Sequence, residues 1–197
     1  MARFTNLTDI LIVTDEMWMS RALELAKRAW QENEIPVGAI LVRNDQILGQ
    51  GWNRPIGSHD PSAHAEMLAV RQAGQTIGNY RLLDTTLYVT LEPCSHTGQT
   101  GPCAQALIDA GVARVVAAVT DPDPRVGGRG LAMLRDAGVA VEEGLFRDEA
   151  GAVNAGFFLR LCEDRPLVTL KTATTLDGRI ASATGQSQWI TGPAARR

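Results

Sequence analysis

The sequence predicts an α/β fold in which a mixed β-sheet has helices packed on both faces. Short apolar runs typical of buried strands alternate along the chain with segments whose apolar residues recur at helical spacing. A polar turn joins the first two runs into an antiparallel hairpin, whereas helical segments separate the later ones. The 197 residues, 45% of them apolar, are enough for one well-buried domain of about 150 residues and an appendage.

Local signals predict each element in chain order. Apolar residues spaced as on one helix face mark the first helix, and the polar residues 43–46 mark the hairpin turn. Gly74 and Gly111 suit the left-handed position that ends a helix, and Pro102 suits the first helical turn. The predicted elements are helix 15–34, strands 37–42 and 47–52, helix 63–73, strand 86–91, helix 102–111, strand 114–119, helix 131–137, strand 139–142, helix 147–161 and strand 167–170.

Composition argues against several classes of protein. The 19 Lys and Arg against 22 Asp and Glu give a net charge of −3, so no strong basic field is available for a phosphate backbone. No apolar run is long enough for a membrane span and no signal peptide is recognised, which predicts a cytoplasmic protein without membrane association. Three cysteines, an odd number, argue against a disulfide framework and favour reduced thiols that could bind metal.

The residues that carry chemistry are His64, Cys94 and Cys103, which have the side chains and the placement of zinc ligands. Imidazole and thiolate groups suit Zn²⁺, and three protein ligands leave a fourth position for water, as in catalytic sites. Glu66 lies two residues after His64, where it could carry a proton between that water and a departing amine. These residues match the first half of the His-x-Glu and Pro-Cys-x-x-Cys pattern of zinc nucleobase deaminases, but eight residues instead of two separate the cysteines.

The alternative to a catalytic centre is a purely structural zinc site, which would normally have a fourth protein ligand. Cys162 is expected to be a small core or surface thiol, and His59 a solvated loop residue. His96, two residues after Cys94, is expected near the metal. Residues 121–124 are expected to form either a stiff turn or a wall of the substrate site.

From Trp18 to Cys94 the chain resembles the bacterial tRNA adenosine deaminases, which convert the wobble adenosine to inosine. The resemblance is dense and is specific to this family within its superfamily. It is carried by Ala26-Lys27-Arg28-Ala29-Trp30, Ile35-Pro36-Val37-Gly38-Ala39, Gly51-Trp52-Asn53-Arg54-Pro55-Ile56-Gly57, His59-Asp60-Pro61, Ala63-His64-Ala65-Glu66, Asn79-Tyr80-Arg81-Leu82 and Thr86-Leu87-Tyr88-Val89-Thr90-Leu91-Glu92-Pro93-Cys94.

From Cys94 to Arg197 the chain resembles the deaminase-reductase of riboflavin biosynthesis, in which a longer loop also separates the two zinc cysteines. The change of resemblance falls in a segment that both families share and predicts a recombinant or assembled chain. The second resemblance is carried by Cys94-Ser95-His96-Thr97-Gly98, Gly101-Pro102-Cys103, Asp121-Pro122, Gly128-Arg129-Gly130, Asn154-Ala155-Gly156-Phe157-Phe158, Leu170-Lys171, Leu176-Asp177-Gly178-Arg179 and Trp189-Ile190-Thr191-Gly192-Pro193.

The two resemblances imply a three-layer α/β/α cytidine-deaminase-like fold with a mixed five-stranded sheet, and a zinc ion as cofactor. They imply an N-terminal tail over residues 1–14, a zinc deaminase domain over 15–145, a helical connector over 146–165 and the truncated start of a reductase-like domain over 166–197. The last segment is too short for a nicotinamide-cofactor site, so no reductase activity is expected. Both families are typically oligomeric, so a homodimer is expected.

The resemblances also imply roles for individual residues. They assign the zinc to His64, Cys94 and Cys103, and the proton transfer to Glu66. The residues expected to bind substrate are Asn53, Arg54 and Ala65 from the tRNA family, and Ser95, His96, Asp121 and Asp123 from the riboflavin family. Two positions depart from the riboflavin pattern, because Ile35-Pro36-Val37 stands in place of Pro-Asn-Pro and Asp123 in place of Asn.

Three functions follow as alternatives. The acidic balance and the absence of a basic tail favour deamination of a small-molecule pyrimidine nucleotide, the diaminohydroxyphosphoribosylaminopyrimidine of riboflavin biosynthesis. Asn53 instead resembles a residue of an adenine-reading pocket, which favours a tRNA anticodon loop as partner. The third alternative is a zinc-stabilised scaffold without turnover, although a scaffold has no use for Glu66.

Overall fold

The structure, a computed structural model, describes residues 14–124 and 126–196, so the predicted tail 1–14 lies outside the described residues except for Thr14. The strands are β1 (Gly38–Arg43), β2 (Gln46–Trp52), β3 (Thr86–Val89), β4 (Arg114–Ala117) and β5 (Ala140–Glu143). The helices are α1 (Asp15–Gln31), α2 (Ala65–Ile77), α3 (Cys103–Ala110), α4 (Arg129–Asp136), α5 (Arg147–Val153) and α6 (Ala155–Glu163), followed by a 3-10 helix over Pro193–Arg196.

The strands form one mixed sheet in the order β2-β1-β3-β4-β5. β1 is antiparallel to both β2 and β3, whereas β3, β4 and β5 are parallel to one another. The hairpin turn between β1 and β2 contains Asn44 and Asp45, whose positive φ values of 49° and 56° suit a tight two-residue connection. The α/β fold with a mixed five-stranded sheet is therefore confirmed.

Helices lie close against both faces of the sheet because glycines face them. A Cβ at Gly38 would overlap the backbone of α1 at Ala22, and a Cβ at Gly51 would overlap the backbone of α2 at Ala65. Gly51 pairs with Ala39, the strand neighbour of Gly38, so the two glycines face opposite sides of the sheet. Accordingly, α1 and α5 cover one face, and α2, α3 and α4 cover the other.

The largest differences between the predicted and observed helices are at the end of α2 and within residues 147–161. α2 continues through Gly74, because an interior glycine costs a helix only about 1 kcal/mol. Gly78 ends this helix instead, with a left-handed φ of 66°. The single helix expected over 147–161 is two helices that meet at Asn154, whose buried amide donates hydrogen bonds to the carbonyls of Pro36 and Ala150.

Among the described residues, those from 166 onward form a separate unit from those up to 165. The strand predicted at 167–170 is wrong: no regular secondary structure occurs between residues 165 and 175. Val168 and Leu170 are 81% and 84% exposed, so the apolar run that suggested a strand is not buried in any sheet. Across the parts of the chain that the structure describes, no helix is both long and apolar enough to cross a bilayer.

Candidate metal centre and active site

Three elements bring His64, Cys94 and Cys103 into one cluster. His64 is the residue that precedes α2, Cys94 follows β3 after a short irregular segment, and Cys103 is the first residue of α3. One nitrogen of His64 and the two sulfurs all lie within 4.8 Å of one another, and His64 Nδ1 is 3.3 Å from Cys103 Sγ. Ligand atoms around a tetrahedral Zn²⁺ lie about 3.3–3.8 Å apart, so these donors fit that ion.

The N-terminus of α3 holds the two cysteines together. The Cys103 backbone N–H donates to Cys94 Sγ at 3.3 Å, and the Ala104 N–H donates to the Cys94 carbonyl at 3.1 Å. Hydrogen bonding with the Cys103 side chain lowers the pKa of the Cys94 thiol to about 4, whereas the same interaction and burial raise the pKa of Cys103. Cys94 is therefore readily ionised to the thiolate, which is the form that binds zinc.

Glu66 lies in the first turn of α2, two residues after His64, and is 4% exposed. Burial raises the pKa of its carboxyl group to about 7, and the neighbouring His64 opposes that rise. Glu66 lines the same cavity as His64 and Cys94. A carboxyl group with a pKa near neutrality can both accept and release a proton, as general acid-base chemistry requires.

The cluster opens into a cavity of about 230 Å³. A dry cavity of about 150 Å³ accommodates benzene, so this volume accepts one substituted six-membered ring. Four carboxyl groups and two histidines line the cavity together with apolar side chains. The apolar residues are Ile35, Val37, Pro55, Leu91, Val126, Phe157 and Leu161.

Four of the residues predicted to bind substrate line this cavity, namely Asn53, His96, Asp121 and Asp123. The Asn53 Oδ1 accepts a hydrogen bond from the Ala65 N–H at 2.9 Å, so its Nδ2 is the group left to face a substrate. Burial raises the pKa of Asp121. The Asp121 Oδ1 accepts a hydrogen bond from the Asp123 N–H at 2.8 Å.

Three predicted residues are not brought into the cavity lining. The Arg54 guanidinium lies 3.4 Å from the Glu32 carboxylate and stacks over the Trp52 ring, outside the cavity. Ala65 is fully buried and contributes its N–H to Asn53 rather than a surface for substrate. Ser95 follows Cys94 but is half-buried and does not line the cavity.

The structure adds residues to the site that sequence reasoning missed. Phe157 and Leu161 come from α6, which was predicted only as part of a connector. Glu92 lines the cavity two residues before Cys94. A usable signal existed for Phe157, because it lies in the Asn154 to Phe158 segment that resembles the riboflavin family, whereas Leu161 has none.

Family models and relatives agree with this geometry. The model of the cytidine and deoxycytidylate deaminase zinc-binding region matches residues 12–119, and the model of the RibD C-terminal domain matches residues 166–197. The riboflavin biosynthesis protein RibD of Escherichia coli is 48% identical over 185 residues, which are 93% of this chain and 48% of that protein. RibD of Haemophilus influenzae is 46% identical over 185 residues, 92% of this chain and 47% of that protein. The chain thus spans about half the length of the curated relatives it matches.

Solved structures give the same picture. A diaminohydroxyphosphoribosylaminopyrimidine deaminase/5-amino-6-(5-phosphoribosylamino)uracil reductase from Thermotoga maritima has a TM-score of 0.79 and 37% identity, covering 90% of this chain and 49% of that one. A structure from a study of A-to-I editing by tRNA:A34 deaminases has a TM-score of 0.61 and 31% identity, covering 70% of this chain and 98% of that one. These similarities confirm the cytidine-deaminase-like fold.

The metal cluster and the family match coincide on the same part of the chain. His64, Cys94 and Cys103 all lie within the matched residues 12–119, as does Glu66. These residues make up more than half of the sequence. The chain therefore belongs to the cytidine and deoxycytidylate deaminase zinc-binding family.

Proposed function

We propose that the chain catalyses zinc-dependent hydrolytic deamination of diaminohydroxyphosphoribosylaminopyrimidine, a pyrimidine nucleotide of riboflavin biosynthesis. The observation that carries this proposal is the similarity to RibD proteins over 185 residues, which includes sequence on both sides of Cys94. The Thermotoga maritima relative bears the name of the same deaminase activity. Similarity across Cys94 also favours a continuous riboflavin-type chain over a junction at that residue.

The metal ligands and Glu66 have separate roles in the reaction. His64, Cys94 and Cys103 would hold the ion, and zinc supplies a Lewis acid that lowers the pKa of water to about 7. Glu66 takes a proton from the attacking water and passes it to the amino nitrogen of the ring. The carbon–nitrogen bond then breaks and ammonia leaves. The remaining hydroxyl proton moves to the adjacent ring nitrogen, so the ring carbon retains the oxygen as a carbonyl.

The remaining residues bind and orient the ring. The Asn53 Nδ2 donates to an acceptor on the ring, while Asp121 and Asp123 accept from its amino and ring N–H groups. Phe157 and Leu161 cover the ring and exclude water, which strengthens the hydrogen bonds beneath them. The cavity volume of about 230 Å³ suits a single substituted ring.

The alternative hypothesis, a tRNA anticodon loop as substrate, has one observation in its favour, the 31% identity to a structure from the study of tRNA:A34 deaminases. The net charge of −3 opposes it, and the identity to the RibD proteins is higher, at 48% over 93% of this chain against 31% over 70%. Binding of an anticodon arm depends on several contacts between basic side chains and phosphates. We therefore place the pyrimidine nucleotide first.

Ammonia release by the zinc-loaded protein tests the proposal. The substrates are the diaminopyrimidine nucleotide and, separately, an anticodon stem-loop that carries a wobble adenosine, each compared with the Glu66→Ala variant as a blank. Turnover of the nucleotide that persists at moderate salt supports the proposal. Turnover of the stem-loop alone, with activity that falls steeply as salt rises, would instead favour the tRNA anticodon loop as substrate. If neither substrate releases ammonia while zinc is bound, the result favours the scaffold without turnover. The expected homodimer stays a prediction, which sedimentation would test.

A further inference from the structure

Glu92 is a buried carboxylate that the mechanism above does not use. It is 3% exposed and lies between β3 and the metal ligand Cys94. Its backbone N–H donates to the Val119 carbonyl at 2.9 Å, which joins the end of β3 to the end of β4. Burial of a carboxylate is costly unless hydrogen bonds compensate for its lost hydration, so its partners explain why it is there.

Four backbone N–H groups converge on the Glu92 carboxylate. Oε1 accepts from Gly130 at 2.8 Å and from Leu131 at 3.3 Å. Oε2 accepts from Gly128 at 2.8 Å and from Asp121 at 3.2 Å. Three of these donors belong to the start of α4 and its N-cap, which has no side-chain cap of its own, and the fourth begins the loop that lines the cavity.

The start of α4 is also in direct contact with the segment that leads to Cys94. A Cβ at Gly130 would overlap the carbonyl oxygen of Pro93, so only glycine permits this approach. Pro93 separates Glu92 from Cys94. One short stretch of chain therefore sets the position of a metal ligand on one side and of α4 on the other.

Asp121 links the Glu92 carboxylate to the lining of the cavity. The Glu92 Oε2 accepts a hydrogen bond from the Asp121 N–H, and the Asp121 Oδ1 accepts one from the Asp123 N–H at 2.8 Å. Both aspartates line the same cavity as His64 and Cys94. We infer that Glu92 is a positioning residue, which sets the distance between the metal centre and the aspartate wall and thereby determines how tightly the substrate ring is held. This inference rests on the proposed function.

The variant Glu92→Gln tests the inference at constant side-chain volume. The amide NH₂ cannot accept hydrogen bonds, so two of the four N–H groups lose their acceptor. We expect KM for the diaminopyrimidine nucleotide to rise about 10-fold or more with a smaller change in kcat, because displaced aspartates form weaker hydrogen bonds with the ring while Glu66 and the metal ligands stay in place. Zinc content should stay equal to that of the parent protein. Glu149→Gln, at an exposed position of α5, is the matched control.

A double variant separates positioning from stabilisation of α4 alone. If Glu92 acts through the aspartate wall, adding Asp121→Asn to Glu92→Gln should raise KM less than the product of the two single effects. Gly130→Ala keeps the Glu92 carboxylate but displaces α4 from Pro93 and shifts the N–H groups that the carboxylate binds, so it should also raise KM. It decides the question if Glu92→Gln fails to fold.

Each outcome of the Glu92→Gln experiment decides between a positioning role and a merely structural one. A lower Tm with unchanged KM overturns the inference, as does a loss of zinc, which would make Glu92 a support of the ligands instead. Hydrogen–deuterium exchange gives a readout without substrate, because protection of the Gly128 and Gly130 amides should fall in Glu92→Gln. If the parent protein does not turn over the nucleotide, the proposed function fails alone. Unchanged protection of those two amides would then overturn the positioning role.

Discussion

The backbone N–H of Cys103 donates a hydrogen bond to the sulfur of Cys94 at 3.3 Å, across a loop of eight intervening residues. The second cysteine therefore reaches the cluster at the start of α3 rather than through a short spacing in sequence. A helix N-terminus carries partial positive charge and unsatisfied N–H groups, so it stabilises a thiolate at this position. This contact explains how a widely spaced pair of cysteines forms one site.

Replacing Cys103 with alanine should remove zinc from the protein. The expected content falls from about one ion per chain to a small fraction of that, because two protein ligands do not retain a structural or catalytic zinc. The melting temperature should fall with it. Cys162→Ala is the control, since Cys162 is exposed and lies outside the cluster. Full zinc content in Cys103→Ala would remove Cys103 from the ligand set.

Glu66→Gln should abolish most of the deaminase activity without releasing zinc. The amide cannot carry the proton from water to the amino nitrogen, and loss of such a group costs about 10²- to 10⁴-fold in rate. Ammonia release measures kcat, and metal analysis checks the zinc content. If kcat stays within twofold of the parent value, Glu66 is not the proton carrier.

Asp15→Asn should lower stability at neutral pH but not in acid. Asp15 accepts hydrogen bonds from Arg114 of β4 and from Tyr88 of β3, and the Arg114 guanidinium lowers the pKa of Asp15 below its ordinary value. A carboxyl group whose pKa is lower in the folded state stabilises the fold above its unfolded pKa of about 3.9 and loses that effect as pH falls through the folded value.

The difference in the free energy of unfolding between the parent and Asp15→Asn should therefore be full from pH 5 to 7 and shrink below about pH 4. Because the Asp15 side chain is 34% exposed, solvent screening limits the expected difference to about 1 kcal/mol. Urea unfolding at pH 7 and pH 3 measures it. Asp109→Asn, at an exposed position of α3, controls for the loss of a surface charge, and an equal difference at both pH values would argue against the Asp15–Arg114 linkage.

Phe157→Ala should weaken substrate binding more than it weakens the fold. Phe157 lines the cavity, whereas its neighbour Phe158 does not, although both rings pack against the core. Loss of an apolar contact with the substrate costs about 1–3 kcal/mol, so KM should rise at least 5-fold. Phe158→Ala is the matched control for stability. Equal KM values in the two variants would contradict a role for α6 in the cavity.

Local sequence was enough for most of the elements and for the metal ligands. Helical and strand periodicity predicted β1, β2 and α1 to within a few residues, since each buries a face whose apolar spacing is visible in the sequence. His64, Cys94 and Cys103 were recognisable because few other roles combine imidazole and thiolates at helix starts. The prediction was wrong at residues 167–170, where an apolar run suggested a strand but the described chain is irregular and exposed.

The walls of the cavity depended on contacts between segments distant in sequence. Asn154 holds the start of α6 against Pro36, and Phe157 and Leu161 of that helix line the cavity, a placement that no periodicity in α6 reveals. The inferred role of Glu92 likewise depends on the four backbone N–H groups that donate to it, all of which come from segments distant in sequence. Side-chain chemistry is a property of each residue and can be recognised in a linear sequence. The direction in which a side chain faces depends on packing between helices and the sheet, so it exists only once the chain is folded.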